Sequence, residues 1–363
     1  MTIQGLHHIT LGCSNAQQTV DFYTQVLGQR LVKQTVNFDD PGSYHLYFGN
    51  ETGTPGSAIT FFEWPTAPRG YPGIGGTHHY ALRVSDYDGL LKWKRRLTDL
   101  GVSVVGPLDR HYFVSIYFND PDGTIIEIAT DGPGWSRDED LDKLGMEYRE
   151  PPPEMIVNNR DEERINAEMW PEPVAEIHAD MALLNGLHHI TAIGTDIERS
   201  HAFFGELLGM QRVKMTSNFD DPDSAHWYWG VDGGRPGTLI TYFERDPAKE
   251  RRMRMGVGQT HHYAFGVADE HTQLEWREKL VKAGLHVSPV MDRVYFKSIY
   301  TRDPDGHIVE LATAGPGFPV DEDVSGLGKN FLLPPWMETQ RERIMGLLTP
   351  LHVPDWSVPK VEA

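Results

Sequence analysis

Apolar residues fall in short runs along the chain, separated by polar stretches rich in Gly, Pro, Asn and Asp. A strand-like run at 6–11 comes first. Val20, Phe22, Tyr23, Val26 and Leu27 then form a helical stripe, with Ser14 or Asn15 placed to cap its start and Gly28 to stop it. Three more strand-like runs follow at 29–37, 44–49 and 57–64. The order then restarts. A strand is predicted at 79–84, and Leu90, Trp93, Leu97 and Leu100 mark a helix ending at Gly101. Strands are predicted at 102–105, 112–118 and 124–130, the last two joined by the turn Asp120-Pro121-Asp122-Gly123. Each round reads βαβββ.

The pair of rounds is itself repeated. Gly5-Leu6-His7-His8-Ile9-Thr10 returns as Gly186-Leu187-His188-His189-Ile190-Thr191, and Asn37-Phe38-Asp39-Asp40-Pro41 as Asn218-Phe219-Asp220-Asp221-Pro222, both 181 residues on. Thr77-His78-His79-Tyr80-Ala81 returns as Thr260-His261-His262-Tyr263-Ala264, and Asp120-Pro121-Asp122-Gly123 as Asp303-Pro304-Asp305-Gly306, both 183 residues on. The chain is therefore predicted to be an α+β protein of four βαβββ modules. Residues 1–135 form the first pair and 185–318 the second. A Pro-rich, acidic linker spans 136–184, and a matching tail spans 319–363.

Composition narrows the function classes. With 363 residues and 39% hydrophobic content, each half can bury a core of its own. The formal charge is −19, from 52 acids against 33 bases, which suits neither nucleic acid nor anionic lipid. One cysteine, Cys13, excludes an internal disulfide or a thiolate-rich metal cage. No basic-then-apolar leader opens the chain and no run is long enough to span a bilayer, so a cytoplasmic protein is expected. The runs Asp138-Glu139-Asp140 and Asp161-Glu162-Glu163 read as solvated surface or helix N-terminal charge, and Arg251-Arg252-Met253-Arg254 as a solvated loop.

Candidate chemistry lies in the repeats. Each half offers a histidine on the opening strand of each module and a glutamate on the last strand of its second module. These are His8, His79 and Glu127, then His189, His262 and Glu310. Both glutamates sit among aliphatic residues, where an unpaired carboxylate is costly, so each needs a cationic or hydrogen-bonding partner. Two imidazoles and one carboxylate are the donor set that leaves open positions on Fe(II) or Mn(II). Neighbouring side chains on a regular strand point to opposite faces. The second histidine of each pair is thus expected to pack outward, or to back its neighbour where the strand kinks.

On these residues the chain resembles the vicinal oxygen chelate superfamily of glyoxalases, extradiol dioxygenases and fosfomycin-resistance proteins. It is most similar to the hydroquinone dioxygenases of the 2,6-dichlorohydroquinone 1,2-dioxygenase type. The likeness rests on Leu6-His7-His8-Ile9-Thr10, Tyr44-His45-Leu46-Tyr47-Phe48, Gly53-Thr54-Pro55-Gly56, His261-His262-Tyr263-Ala264-Phe265 and Tyr295-Phe296-Lys297-Ser298-Ile299-Tyr300. It implies tandem domains of curved mixed sheets around a metal. It also implies ligands drawn from the first and fourth modules, His8, His262 and Glu310, with His7, Thr10, His261, Arg293 and Tyr300 around them. A mirror set, His79, His189 and Glu127, is intact here, backed by His78, Arg110 and Tyr117. One principal site is expected. Two sites, or pairing within a half through His189, His262 and Glu310, are the alternatives.

The activity implied is a non-haem Fe(II) dioxygenase, with Mn(II) as the other metal, that opens a hydroquinone-type ring with O2. A catechol or a gentisate-like acid is the alternative substrate. The expected partners are this small aromatic and O2, with neither nucleic acid nor membrane; a homo-oligomer is allowed. A glyoxalase-like isomerase would need a fourth ligand. That position falls on Thr60 and Thr241, with Glu63 and Glu244 three residues on and on the other strand face.

Overall fold

The structure, a computed structural model, describes residues 1–359. The first module contains β1 (Leu6–Cys13), β2 (Arg30–Asn37), β3 (Asp40–Gly49) and β4 (Ala58–Glu63). The second contains β5 (Thr77–Val84), β6 (Val105–Asp109), β7 (Phe113–Asn119) and β8 (Ile125–Pro133). The third contains β9 (Leu187–Gly194), β10 (Gln211–Asn218), β11 (Asp221–Gly230) and β12 (Leu239–Glu244). The fourth contains β13 (Thr260–Val267), β14 (Met291–Asp292), β15 (Lys297–Arg302) and β16 (Ile308–Thr313).

A helix follows each opening strand. Asn15 caps Ala16–Asp21 through a bond from Gln18 N, and Asp86 caps Tyr87–Asp99 through Gly89 N. Leu90, Trp93 and Leu97 are buried on the latter helix, as their spacing predicts. The expected strand at 102–105 is displaced: Val102 N bonds Leu97 O and finishes the helix, so β6 starts at Val105. In the first and third modules the helix widens into a π-turn, Phe22–Val26 and Ala202–Leu207.

Two curved eight-stranded mixed sheets result, and each draws on both sequence halves. One runs β14-β15-β16-β13-β1-β4-β3-β2, the other β10-β11-β12-β9-β5-β8-β7-β6. The first module therefore joins the fourth, and the second joins the third. The joining pairs, β1 with β13 and β5 with β9, are antiparallel and carry bulges beside their histidines. Compact units follow the sheets. Unit 1 comprises Met1–Tyr71, Arg254–Arg302 and His307–Val358, and unit 2 contains Pro72–Met253 and Asp303–Gly306. The sequence repeats and the compact units thus divide the chain differently.

The acidic stretch after each sheet is more than solvated surface. Fully buried Lys214 on β10 pairs with Asp138 at 2.7 Å and with Glu139, and fully buried Lys33 on β2 pairs with Asp321 at 2.6 Å and Glu322 at 2.5 Å. A buried ammonium requires such partners, which the reading of 138–140 as solvated surface overlooked. Asp161 does cap a helix, Glu162–Ala167, accepting from Arg164 N. In the basic loop, Arg252 and Arg254 form backbone bridges with Ile74 and Tyr71.

Candidate metal centres

In unit 1, β1 supplies His8, β13 supplies His262 and β16 supplies Glu310. All three are buried. His8 Nε2 lies 3.3 Å from His262 Nε2 and 3.3 Å from Glu310 Oε2, and His262 Nε2 lies 3.0 Å from Glu310 Oε2. In unit 2 the corresponding distances are 3.2 Å for His79–His189, 2.8 Å for His79–Glu127 and 3.3 Å for His189–Glu127. The set His189, His262 and Glu310 is not assembled, because His189 belongs to the other unit.

The bulges resolve the question of the doubled histidines. His7 Nδ1 meets His8 Nδ1 at 2.8 Å, and His261 Nδ1 meets His262 Nδ1 at 2.7 Å. Each partner therefore backs its neighbour instead of packing outward. The protons can be traced. Thr313 O can only accept, so His7 Nε2, 3.2 Å away, donates to it. Burial lowers the His7 pKa to about 3, so its ring is neutral and Nδ1 is a lone pair. His8 Nδ1 must then carry the proton in their contact, which leaves the lone pair of His8 Nε2 facing His262 and Glu310. His188 backs His189 at 2.9 Å in the same way, and burial also lowers it to about 3.

The glutamates are held at one oxygen. Ser298 Oγ donates to Glu310 Oε1, and Ser115 Oγ to Glu127 Oε1. The other oxygen, Oε2, is buried with no aligned hydrogen-bond donor in both residues. Burial pushes each carboxyl pKa up, but the facing histidines outweigh it and hold both well below the usual range. An ionised, buried oxygen that faces two imidazole nitrogens fits a cation at the centre of the triangle. Ligands about 2.1 Å from a metal stand about 3.0 Å apart at right angles and about 3.4 Å apart in a tetrahedron. Both triangles match that scale, so the donor sets fit a divalent metal.

The other expected residues fall around these clusters. Arg293 Nε donates to Tyr300 OH at 3.2 Å, and Arg293 Nη1 pairs with Asp39 at 3.1 Å. The Tyr300 ring stands edge-on to His262, and burial pushes its phenol up, so it stays protonated. Arg110, Tyr117 and Asp220 repeat the arrangement in unit 2, at 3.1 and 2.8 Å. Thr10 does not face the ligands directly. Its hydroxyl bonds Thr60 Oγ1 at 2.7 Å, Thr60 contacts His45 Nε2 at 3.0 Å, and Tyr47 OH contacts His45 Nδ1 at 2.8 Å.

His45 and Ser298 stood within the motifs of the family likeness but were given no role there, and their counterparts His226 and Ser115 were not singled out. Their recurrence at the 181- and 183-residue offsets was the signal that could have found them. Of the aromatics, Tyr47, Tyr228 and Phe296 line the cavities, whereas Phe48 and Trp229 are core. Glu63 and Glu244 do not serve as a fourth ligand. They accept from Ala16 N at 2.8 Å and Ile197 N at 3.1 Å, at helix starts. Thr60 and Thr241 occupy the isomerase's ligand position, and each is bonded to a histidine there.

A cavity opens at each triad. The one in unit 1 is about 150 Å³ and is walled by Phe38, Phe62, Trp64, Phe296, Tyr300 and His261, among others. The one in unit 2 is about 470 Å³. Paired βαβββ modules closing on two histidines and a glutamate define a metal-dependent enzyme class of the glyoxalase and extradiol type.

The comparisons with known proteins agree. The sequence model of the Glyoxalase/Bleomycin resistance protein/Dioxygenase superfamily matches residues 5–128 and 186–311, and the chain belongs to that superfamily. It is 32% identical to the "Putative ring-cleaving dioxygenase MhqO" of Bacillus subtilis, over 96% of this chain and 97% of that one. It is 30% identical to the chlorohydroquinone/hydroquinone 1,2-dioxygenase of Sphingobium indicum, over 94% of this chain and 95% of that one. A crystal structure described as a "putative dioxygenase" from B. subtilis aligns with TM-score 0.78 at 30% identity, covering 98% and 99% of the two chains. Maize glyoxalase I shares the fold, with TM-score 0.55 at 16% identity over 85% and 92%. The chain is thus related over its full length to ring-cleaving dioxygenases, and it is an oxygenase of this superfamily. No helix among the described residues is long and apolar enough to cross a membrane.

Proposed function

We propose that the chain is a ring-cleaving dioxygenase that uses Fe(II), or Mn(II), at His8, His262 and Glu310 and acts on a small hydroquinone-type ring. The observation that carries this reading is the convergence of three ligand atoms, 3.0 to 3.3 Å apart, on a cavity of about 150 Å³. An apolar cavity of about 150 Å³ accommodates a single benzene ring, so the size favours one ring with small substituents. The hydroquinone activity in the name of the S. indicum relative supports a para-diol.

When bound, the metal supplies open positions for a ring oxygen and for O2. The protein supplies the rest. Phe62 and Phe296 flank the ring and exclude water. Tyr300, kept protonated by burial, donates to a ring oxygen, and the Arg293 cation beside it stabilises the oxyanion that forms there. Burial lowers His261 to about 3, so it stays a neutral imidazole that holds His262 through Nδ1 and presents its ring to the cavity wall. The chain Thr10–Thr60–His45–Tyr47 fixes the cavity floor.

The test is anaerobic Fe(II) loading followed by oxygen-electrode and product analysis with hydroquinone. One O2 per ring and a ring-opened product are expected, and Glu310→Gln is expected to abolish uptake. Uptake that survives Glu310→Gln and disappears in Glu127→Gln would transfer the activity to unit 2.

A further inference from the structure

The two cavities share most of their walls. His45, Tyr47, Phe62, Arg293, Phe296 and Tyr300 in unit 1 correspond to His226, Tyr228, Phe243, Arg110, Phe113 and Tyr117 in unit 2. One position differs sharply. Trp64 in unit 1 corresponds to Arg245 in unit 2, 181 residues on. Trp64 lies against Phe62 and His261, with ring centres 6.2 and 6.1 Å apart. It can do so because a Cβ at Gly12 would fall only 2.2 Å from its ring. The residue corresponding to Gly12 in unit 2 is Ile193. The position whose lack of a side chain seats the indole in unit 1 thus carries a branched side chain in unit 2.

In unit 2 a guanidinium takes the place of the indole. Arg245 pairs with Asp221 at 2.6 Å and lies over the Phe243 ring at 5.4 Å. A third guanidinium comes from the linker: Arg160 lines the same cavity as Arg110 and Arg245. Arg160 Nε donates to Glu162 at 2.5 Å, while its buried Nη1 stands 2.7 Å from Asp220 Oδ1 without the alignment of a hydrogen bond. The unit 1 lining includes one guanidinium, Arg293, with Asp39, whereas the unit 2 lining includes three, with Asp220 and Asp221 among them. Unit 2 therefore combines a complete ligand triad, a cavity of about 470 Å³ and an N–H group still short of an aligned acceptor. That volume lies in the range of small-molecule sites and has room for a ring bearing a substituent.

We infer that unit 2 holds a second divalent metal at His79, His189 and Glu127, in a pocket that takes a phenolic ring bearing an anionic group such as a carboxylate, which Arg245 and Arg160 hold. This inference does not depend on unit 1 being the hydroquinone site. A ring oxygen faces the metal ligands, Tyr117 and Arg110 stand beside it as their counterparts do in unit 1, and the anionic substituent points toward the Arg245 side.

The test uses full-length, metal-free protein titrated anaerobically with Co(II), followed by visible absorbance and equilibrium dialysis. The native chain is expected to bind two equivalents, and Glu310→Gln and Glu127→Gln one each. A single equivalent in the native chain, unchanged by Glu127→Gln, would overturn the second site whatever the hydroquinone assay shows. Next, Co(II)-loaded Glu310→Gln is titrated with 4-hydroxybenzoate and with phenol, reading the Co(II) spectrum. The carboxylated probe is expected to bind at least 10-fold more tightly than phenol. Adding Arg245→Gln or Arg160→Gln is expected to weaken 4-hydroxybenzoate by about 10-fold without moving phenol, and Arg245→Lys to recover part of the loss. Equal binding of both probes, or no response to either arginine substitution in a chain that still binds Co(II), would overturn the anionic specificity.

Discussion

Unit 1 and unit 2 share one plan and differ in what they leave empty. Their triads agree to within a few tenths of an ångström, and each backs one histidine with another and ties its glutamate to a serine. The cavities nevertheless differ about threefold, at about 150 against 470 Å³. The donor set is thus the same in both units, whereas the far wall varies with a pair of substitutions, Gly12 with Trp64 and Ile193 with Arg245. The triad and the far wall of the cavity are therefore separable in this fold.

The strongest challenge to the common plan is to remove the lysine beneath each sheet. Lys214→Met and Lys33→Met each leave one largely covered carboxylate, Glu139 or Glu322, without its cation, at a cost of about 3 kcal/mol. Scanning calorimetry should show a matching drop in the unfolding temperature for both. If one variant is unaffected, the two units are not anchored alike. Trp64→Ala tests the difference between the cavities. It should lower kcat/KM for hydroquinone by about 10-fold, or about 1.4 kcal/mol, and favour a ring-substituted hydroquinone in relative terms. Unchanged selectivity would mean that the indole does not limit the ring. The smallest effect belongs to the helix starts. Asp196 accepts from both Glu198 N and Arg199 N at 3.0 Å, whereas Asn15 accepts from Gln18 N at 2.9 Å. Asp196→Ala should therefore cost about 1 kcal/mol and Asn15→Ala about 0.5 kcal/mol, measured by denaturant unfolding.

Much of this was legible in the sequence, for a physical reason. Duplication prints each module and each ligand more than once, so His8, His79, His189 and His262 announce themselves as a set, as do Glu127 and Glu310. Helix caps such as Asn15 and stops such as Gly101, which adopts a φ of 79°, act through neighbours in sequence and were read correctly. The pairing of modules was not readable from local pattern. It depends on which opening strand meets which, and only the family likeness pointed to His8 with His262. The doubled histidines were ambiguous because alternation along a strand forbids what a bulge allows. The anchoring of Lys33 and Lys214 was missed because each acidic partner lies 75 or more positions away in sequence. The cavity sizes were invisible because a missing side chain, at Gly12, leaves no hydrophobic signal.

The nested pairing of modules also gives the chain a timetable. His79 and His189 are 110 residues apart, while His8 and His262 are 254 apart. In free solution that difference raises the loop-closure cost by only about 0.7 kcal/mol. On the ribosome it matters more, because a chain emerges from its N-terminus and domains fold as they appear. All eight strands of the unit 2 sheet have emerged by Glu244, before any strand of the fourth module exists. Strands β1 to β4 must therefore wait, with the edge of β1 unpaired, until β13 arrives. The inner triad can form early, and the outer one only when synthesis is nearly complete.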